Sequence, residues 1–193
     1  MTNERREIEN NFVKEVITHI ENHNPQRKFH ADRVAVYATA TANELGITGD
    51  ALFHLRCAAT IHDFWKLEIP SEILESADPF PGAFKTTPES LRERLIPFGM
   101  ETDRTWLHVL ATQYIHYENM SETYPPIESR IILVAVAFDV MTHQQPWKNK
   151  KSESEAINEI KELAGSQFDP DVVNAFLSVQ PLIQPVDLTG FDV

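Results

Sequence analysis

The chain has 193 residues, 42% of them apolar, and a formal net charge of −12. That length and composition build one domain with a sizeable core and argue against disorder. The negative field repels polyanions and excludes a nucleic acid polymer as the default partner, while a small phosphate ligand stays open wherever a metal ion reverses the local sign.

The opening "MTNERREIENN" has no apolar signal region. Ile8, Phe12, Val13, Val16, Ile17 and Ile20 then recur at the spacing of one helix face. "NHNPQRKF" interrupts that helix, with Pro25 as the breaker. A second helix is predicted from about His30 to Leu45 and stops at Gly46. Asp50 is read as the N-cap of a third helix, which carries Leu52, Leu55, Ala58 and Ala59 towards His62. Within it lies Cys57, the only cysteine. Its small and apolar neighbours make it core packing, and its solitude rules out an internal disulfide and suits a reducing compartment.

"ADPFPGAFKTTP" reads as a loop, and "TPES" from Thr87 as a capping-box start to a short helix. Residues 102–117 form a further amphipathic helix, followed by the loop "ENMSETYPP". Residues 127–142 are apolar on nearly all sides, so this helix is expected at the centre. Its run "IILVAVAF" is too short to span a bilayer. The last helices are expected from Ser152 to Leu163 and from Pro170 to Leu177, the latter opened by "FDP", an Asp cap with Pro at the first helical position. The "KNKK" run before them reads as a solvated loop. No strand alternation persists. The expectation is an all-α, single compact bundle: an N-terminal helix over 1–22, a core over 23–178 and an irregular tail over 179–193. A cytoplasmic protein with no membrane segment is expected.

The stretch "IHDFWK" carries the chemistry. Neutral imidazoles and carboxylates hold a divalent ion, and the ion lowers the pKa of water to supply a nucleophile near neutrality. His62 and Asp63 alone have the bland reading of a polar helix end. Three further blocks surround them: "FHADRVAVYATATANELGI", "IHYENM…YPPIESRIILVAVAFDVMT" and "SESEAINEIKELAGSQFDPDVVNAFL". Together the four blocks resemble the HD-GYP family, bacterial members of the HD superfamily of metal-dependent phosphohydrolases, many of which hydrolyse cyclic di-GMP. The resemblance spans roughly residues 20–178.

That resemblance implies an HD-domain bundle and a set of site residues. Glu21 matches the family's acidic metal ligand and His30 its first histidine. His62 and Asp63 match the name-giving pair, with Asp63 serving both metal and catalysis. Lys66 matches the lysine that contacts a phosphate oxygen. His116 and Glu118 match the ends of the family's His-His-Glu motif.

The chain also departs from the pattern. Leu95 stands near the place of a ligand histidine, Tyr117 replaces the second histidine of His-His-Glu, and Val136 replaces the aspartate of the "VAD" block. The GYP signature is reduced to "TYPP", and Trp65 replaces a small residue beside the HD pair. Of the ligands for the family's first ion, His30, His62 and Asp63 remain. Asp139, one turn further along, is the candidate to stand in for the missing aspartate, with His108 as a second candidate.

Two functions follow from the resemblance. One is a degenerate HD-GYP-like signalling module, without two-metal cyclic di-GMP phosphodiesterase activity, that binds a signalling protein or a nucleotide. The other is a reduced-site phosphohydrolase acting on a cyclic dinucleotide, nucleotide or phosphate ester, with Lys66 stabilising phosphoryl charge. The implied cofactor is one divalent ion, iron or manganese, or none, and a homodimer is compatible with the family. The weight of the missing ligands falls on the first reading.

Overall fold

Helix-spaced apolar residues along nearly the whole chain have one stable solution, helices packed on helices. The computed structural model describes residues 1–23, 25–64, 88–96, 106–113, 115–119, 125–143 and 149–183. Among these residues there are eight α-helices, two 3-10 turns and no strand; Ala164 and Phe168 form one isolated bridge.

Helix α1 (Asn3–His23) buries Phe12, Val13, Val16, Ile17 and Ile20. Ile8, expected on that face, is 51% exposed, and Glu9 is buried in its place. The buried stripe runs through positions 9, 13, 16 and 20, which leaves Ile8 at its edge.

Helix α2 (Pro25–Glu44) begins earlier than the sequence suggested. Pro25 is its first residue, where a missing N–H costs nothing, so the proline starts a helix as well as ending one. At the far end the Gly46 N–H donates to Asn43 and the Ile47 N–H to Ala42, and Gly46 has φ +75°. That is the Schellman closure expected of a glycine past a helix end.

Helix α3 (Gly49–Thr60) corrects the cap assignment. Thr48 holds the N-cap position, and Asp50 lies inside the first turn. The Asp50 carboxylate instead accepts from the Arg6 guanidinium at 2.5 Å, tying α1 to α3. The helix ends at Thr60, so His62 and Asp63 occupy the turn that follows it.

Helix α4 spans Pro88–Leu95, and α5 spans Trp106–Thr112. The expected helix over 102–117 therefore ends five residues early, and Tyr117–Asn119 form a 3-10 turn. Helix α6 (Ile127–Thr142) is central as expected: Ile131, Ile132, Val134, Ala135 and Phe138 are buried within it. Helix α7 (Glu153–Glu162) opens on a complete capping box between Ser152 and Glu155. Helix α8 (Pro170–Val179) opens on the Asp169 cap with Pro170 behind it. Gln180–Leu182 form a 3-10 turn where an irregular tail was expected. Residues beyond 183, and the 77–87 loop with Thr87, lie outside the described residues.

Helix α2 packs against α1, α3, α6 and α8. Its inward face is small: Ala31, Ala35, Ala38 and Ala42 are buried, as are Cys57, Ala58 and Ala59 on α3. Small residues at a contact shorten the distance between helix axes. The side chains of His30 on α2 and His62 after α3 meet at this contact. Phe138 on α6 anchors the other side of α2, with ring centroids 5.2 Å from Tyr37 and 5.1 Å from Phe176 on α8.

Candidate metal centre

Helix α3 stops just before the HD pair, and its end supplies part of the site. The last carbonyls of a helix lack intrahelical donors. One of them, Ala59, accepts from the His62 Nδ1–H at 2.8 Å. The amide of Gln113, just past α5, donates to the His62 carbonyl at 3.1 Å. His62 is fully buried and Asp63 is 4% exposed.

His30 approaches from α2. Its Nδ1 lies 2.6 Å from Asp139 Oδ2 and its Nε2 lies 3.1 Å from His62 Nε2. Asp63 completes the group, with Oδ1 3.5 Å from His62 Nε2 and Oδ2 3.8 Å from His30 Nε2. Ligand atoms of His30, His62 and Asp63 all fall within 4.8 Å of one another. Burial pushes the Asp139 carboxyl up, but hydrogen bonds from His143, His30 and Arg33 outweigh it and hold it far below the usual carboxylate range.

These residues fit a divalent ion. A carbonyl and an ionised carboxylate only accept, so each imidazole places its N–H at Nδ1. In the neutral rings two Nε2 lone pairs then face each other across 3.1 Å, beside a carboxylate. Such an arrangement repels itself unless a cation draws the three together. The distance between the two nitrogens and the distances from each nitrogen to an Asp63 oxygen, Oδ1 for His62 and Oδ2 for His30, are all below about twice a 2.1 Å metal–ligand bond, so one ion can approach all three groups. The C-terminal end of α3 adds partial negative charge next to the group. Imidazole pairs with one carboxylate suit first-row ions such as iron, manganese or zinc, and each ring is oriented by a partner on its far nitrogen.

Other candidates fall elsewhere. Glu21 is exposed on α1. His116 is half-buried just before the 3-10 turn, and that turn is held by the loop between α7 and α8: the Tyr117 N–H donates to Gln167 and the Glu118 N–H to Ser166. Neither Glu21 nor His116 belongs to the three-residue group. His108 is exposed on α5. Leu95 is fully buried in the core, and Val136 and Tyr117 are half-buried. Asp139 stands behind His30, on its Nδ1 side, rather than beside the ligand atoms. Trp65, Lys66 and Tyr124 of "TYPP" lie outside the described residues.

Besides Gln113, two residues without a role in the sequence reading belong to the site. Arg33 reaches Asp139 with Nε at 2.5 Å and Nη2 at 2.9 Å. His143 Nδ1 lies 3.2 Å from Asp139 Oδ1. Spacing was the available signal: Arg33 is three residues after His30 and His143 four after Asp139, each one turn away on the same helix face.

A family model described as HD domain matches residues 117–172, a segment outside the His30, His62 and Asp63 group. A cyclic di-GMP phosphodiesterase of Thermotoga maritima is 29% identical over 171 residues, covering 81% of this chain and 45% of that protein. A 3'3'-cGAMP-specific phosphodiesterase of Vibrio cholerae is 23% identical, covering 89% of this chain and 35% of that protein. A cyclic di-GMP phosphodiesterase response regulator of Xanthomonas campestris is 25% identical, covering 91% and 49%. The chain thus spans less than half the length of each of these relatives. No helix among the described residues is long and apolar enough to cross a membrane. The family match over residues 117–172, the relatives and the all-helical bundle together support an HD-superfamily domain in this chain.

Proposed function

We propose that the chain is a reduced-site HD phosphohydrolase that holds one divalent ion, iron or manganese, at His30, His62 and Asp63 and acts on a phosphoester, with a cyclic dinucleotide as the first candidate. The observation that carries this reading is the facing pair of Nε2 atoms 3.1 Å apart beside Asp63, with both rings tethered at Nδ1. The relatives named for cyclic di-GMP and 3'3'-cGAMP hydrolysis support the substrate class. A divalent ion, when bound there, supplies a Lewis acid for phosphoryl oxygens and lowers the pKa of water. His30 and His62 hold their nitrogens toward the ion position, and Asp63 adds the charge that offsets the ion's own. Lys66, three residues after Asp63, is assigned the stabilisation of phosphoryl charge.

A second reading is favoured by a different observation. Leu95 is fully buried as an apolar residue, and Val136 and Tyr117 pack half-buried where the resemblance calls for ligands. A second ion on the family plan has no full ligand set, which favours a signalling module that binds a nucleotide or a protein without two-metal hydrolysis. One experiment separates the two. Purified protein is titrated with Mn²⁺ and Fe²⁺, then assayed on cyclic di-GMP, 3'3'-cGAMP and p-nitrophenyl phosphate, alongside Asp63→Ala. Stoichiometric binding and turnover, both lost in Asp63→Ala, are expected. Absence of stoichiometric binding overturns the first reading, and nucleotide binding without turnover selects the second.

A further inference from the structure

We propose that Asp139 is a positioning residue for the ion site and that it decides which nitrogen of His30 carries the proton. The inference rests on the metal reading above, but it concerns a residue outside the ligand group. The Asp139 side chain is fully buried, and donors converge on both of its oxygens. Arg33 Nε and His143 Nδ1 lie at 2.5 and 3.2 Å from Oδ1, and Arg33 Nη2 and His30 Nδ1 at 2.9 and 2.6 Å from Oδ2. The guanidinium is a donor only, so it keeps the carboxylate ionised and fixes its plane. An ionised carboxylate can only accept. His30 must therefore carry a hydrogen on Nδ1, and in the neutral ring its Nε2 lone pair is turned toward His62 and Asp63.

Replacing Asp139 with Asn makes the logic visible. The amide has one accepting oxygen, and at the Oδ1 position it keeps both Arg33 Nε and His143 as donors, at the expense of the Arg33 Nη2 contact at the Oδ2 position. The amide N–H then faces His30 Nδ1, which must accept. The ring hydrogen moves to Nε2, where it donates to His62 Nε2 across the existing 3.1 Å gap. The variant exchanges one Arg33 contact for a hydrogen bond between His30 and His62, and the face that holds an ion closes. A change of one carboxylate to an amide that leaves geometry intact and sets the wrong imidazole tautomer is a known mode of failure in His–Asp pairs.

The test uses the full chain and its Asp139→Asn variant. Mn²⁺ affinity is measured by calorimetry, and the histidine ring tautomers of the metal-free proteins are read by ¹H–¹⁵N NMR. The expected result is Mn²⁺ binding weakened about 10–100-fold, with His30 carrying Nδ1–H in the parent and Nε2–H in the variant. Unchanged affinity together with a retained Nδ1–H in Asp139→Asn overturns the proposal. Should the variant not fold, the parent spectrum decides alone: Nε2–H on His30 overturns it, and Nδ1–H upholds it. Should the parent bind no Mn²⁺, the metal reading fails, while the tautomer comparison still tests Asp139.

Discussion

At the scale of single residues, the site is a contest between ligands kept and ligands replaced. Val136 lies on α6 three residues before Asp139, so the two share a helix face and the position is close to the ion group in register. A carboxylate there would restore the ligand set that the resemblance describes. Val136→Asp is expected to tighten Mn²⁺ binding by at least about 10-fold, the lower bound for even an outer partner of a metal site. The same change should lower the thermal midpoint of the metal-free protein, because an unpaired, half-buried carboxylate is costly. Calorimetry and thermal melts with and without Mn²⁺ check both halves. Equal affinity in parent and variant would show that α6 does not present position 136 to the ion.

At the scale of elements, the helix starts and stops carry much of the specification. Asp169 serves α8 in two ways. Its Oδ1 accepts the Asp171 N–H at 2.8 Å as a cap, and its Oδ2 pairs with Arg130 on α6. Both partners are largely buried. Asp169→Ala removes both interactions and is expected to cost about 3–5 kcal/mol, since it takes this carboxylate away from the largely buried Arg130. Asp169→Asn keeps the cap acceptor and loses the ion pair, so it should recover about 0.5–2 kcal/mol of that loss. Urea denaturation of the two variants measures the difference, and equal destabilisation would mean that the cap contributes nothing.

At the scale of the whole molecule, α2 joins the halves of the structure, and its link to α6 through Asp139 makes stability depend on pH. The Asp139 carboxyl is held well below its unfolded value. Its contribution is therefore fully present above the unfolded pKa of about 3.9 and is lost as pH falls below that value. In metal-free protein, the thermal midpoint of the parent should fall more steeply below about pH 4 than that of Asp139→Asn, which has no such group to protonate. Parallel acid-side slopes would show that the Arg33–Asp139 link does not govern acid stability.

Much of the molecule was determined by local sequence. The helices came from apolar spacing, the Gly46 stop and Asp169 start from backbone chemistry, and the centrality of α6 from its lack of a polar face. These features depend only on neighbours along the chain. The exit of α5 at Thr112 and the burial of Glu9 instead of Ile8 depended on packing partners that periodicity does not contain. The site divides the same way. His30, His62 and Asp63 came together in the sequence as ligand candidates through the family resemblance, and they lie in one group in the structure. The His62 ring is held by Ala59, three residues before it, but the contacts of His30 and Arg33 with Asp139 and of Gln113 with His62 arise only where elements distant in sequence meet. A tautomer is set by the partner across the ring, and that partner, Asp139, stands 109 residues away from His30 along the chain.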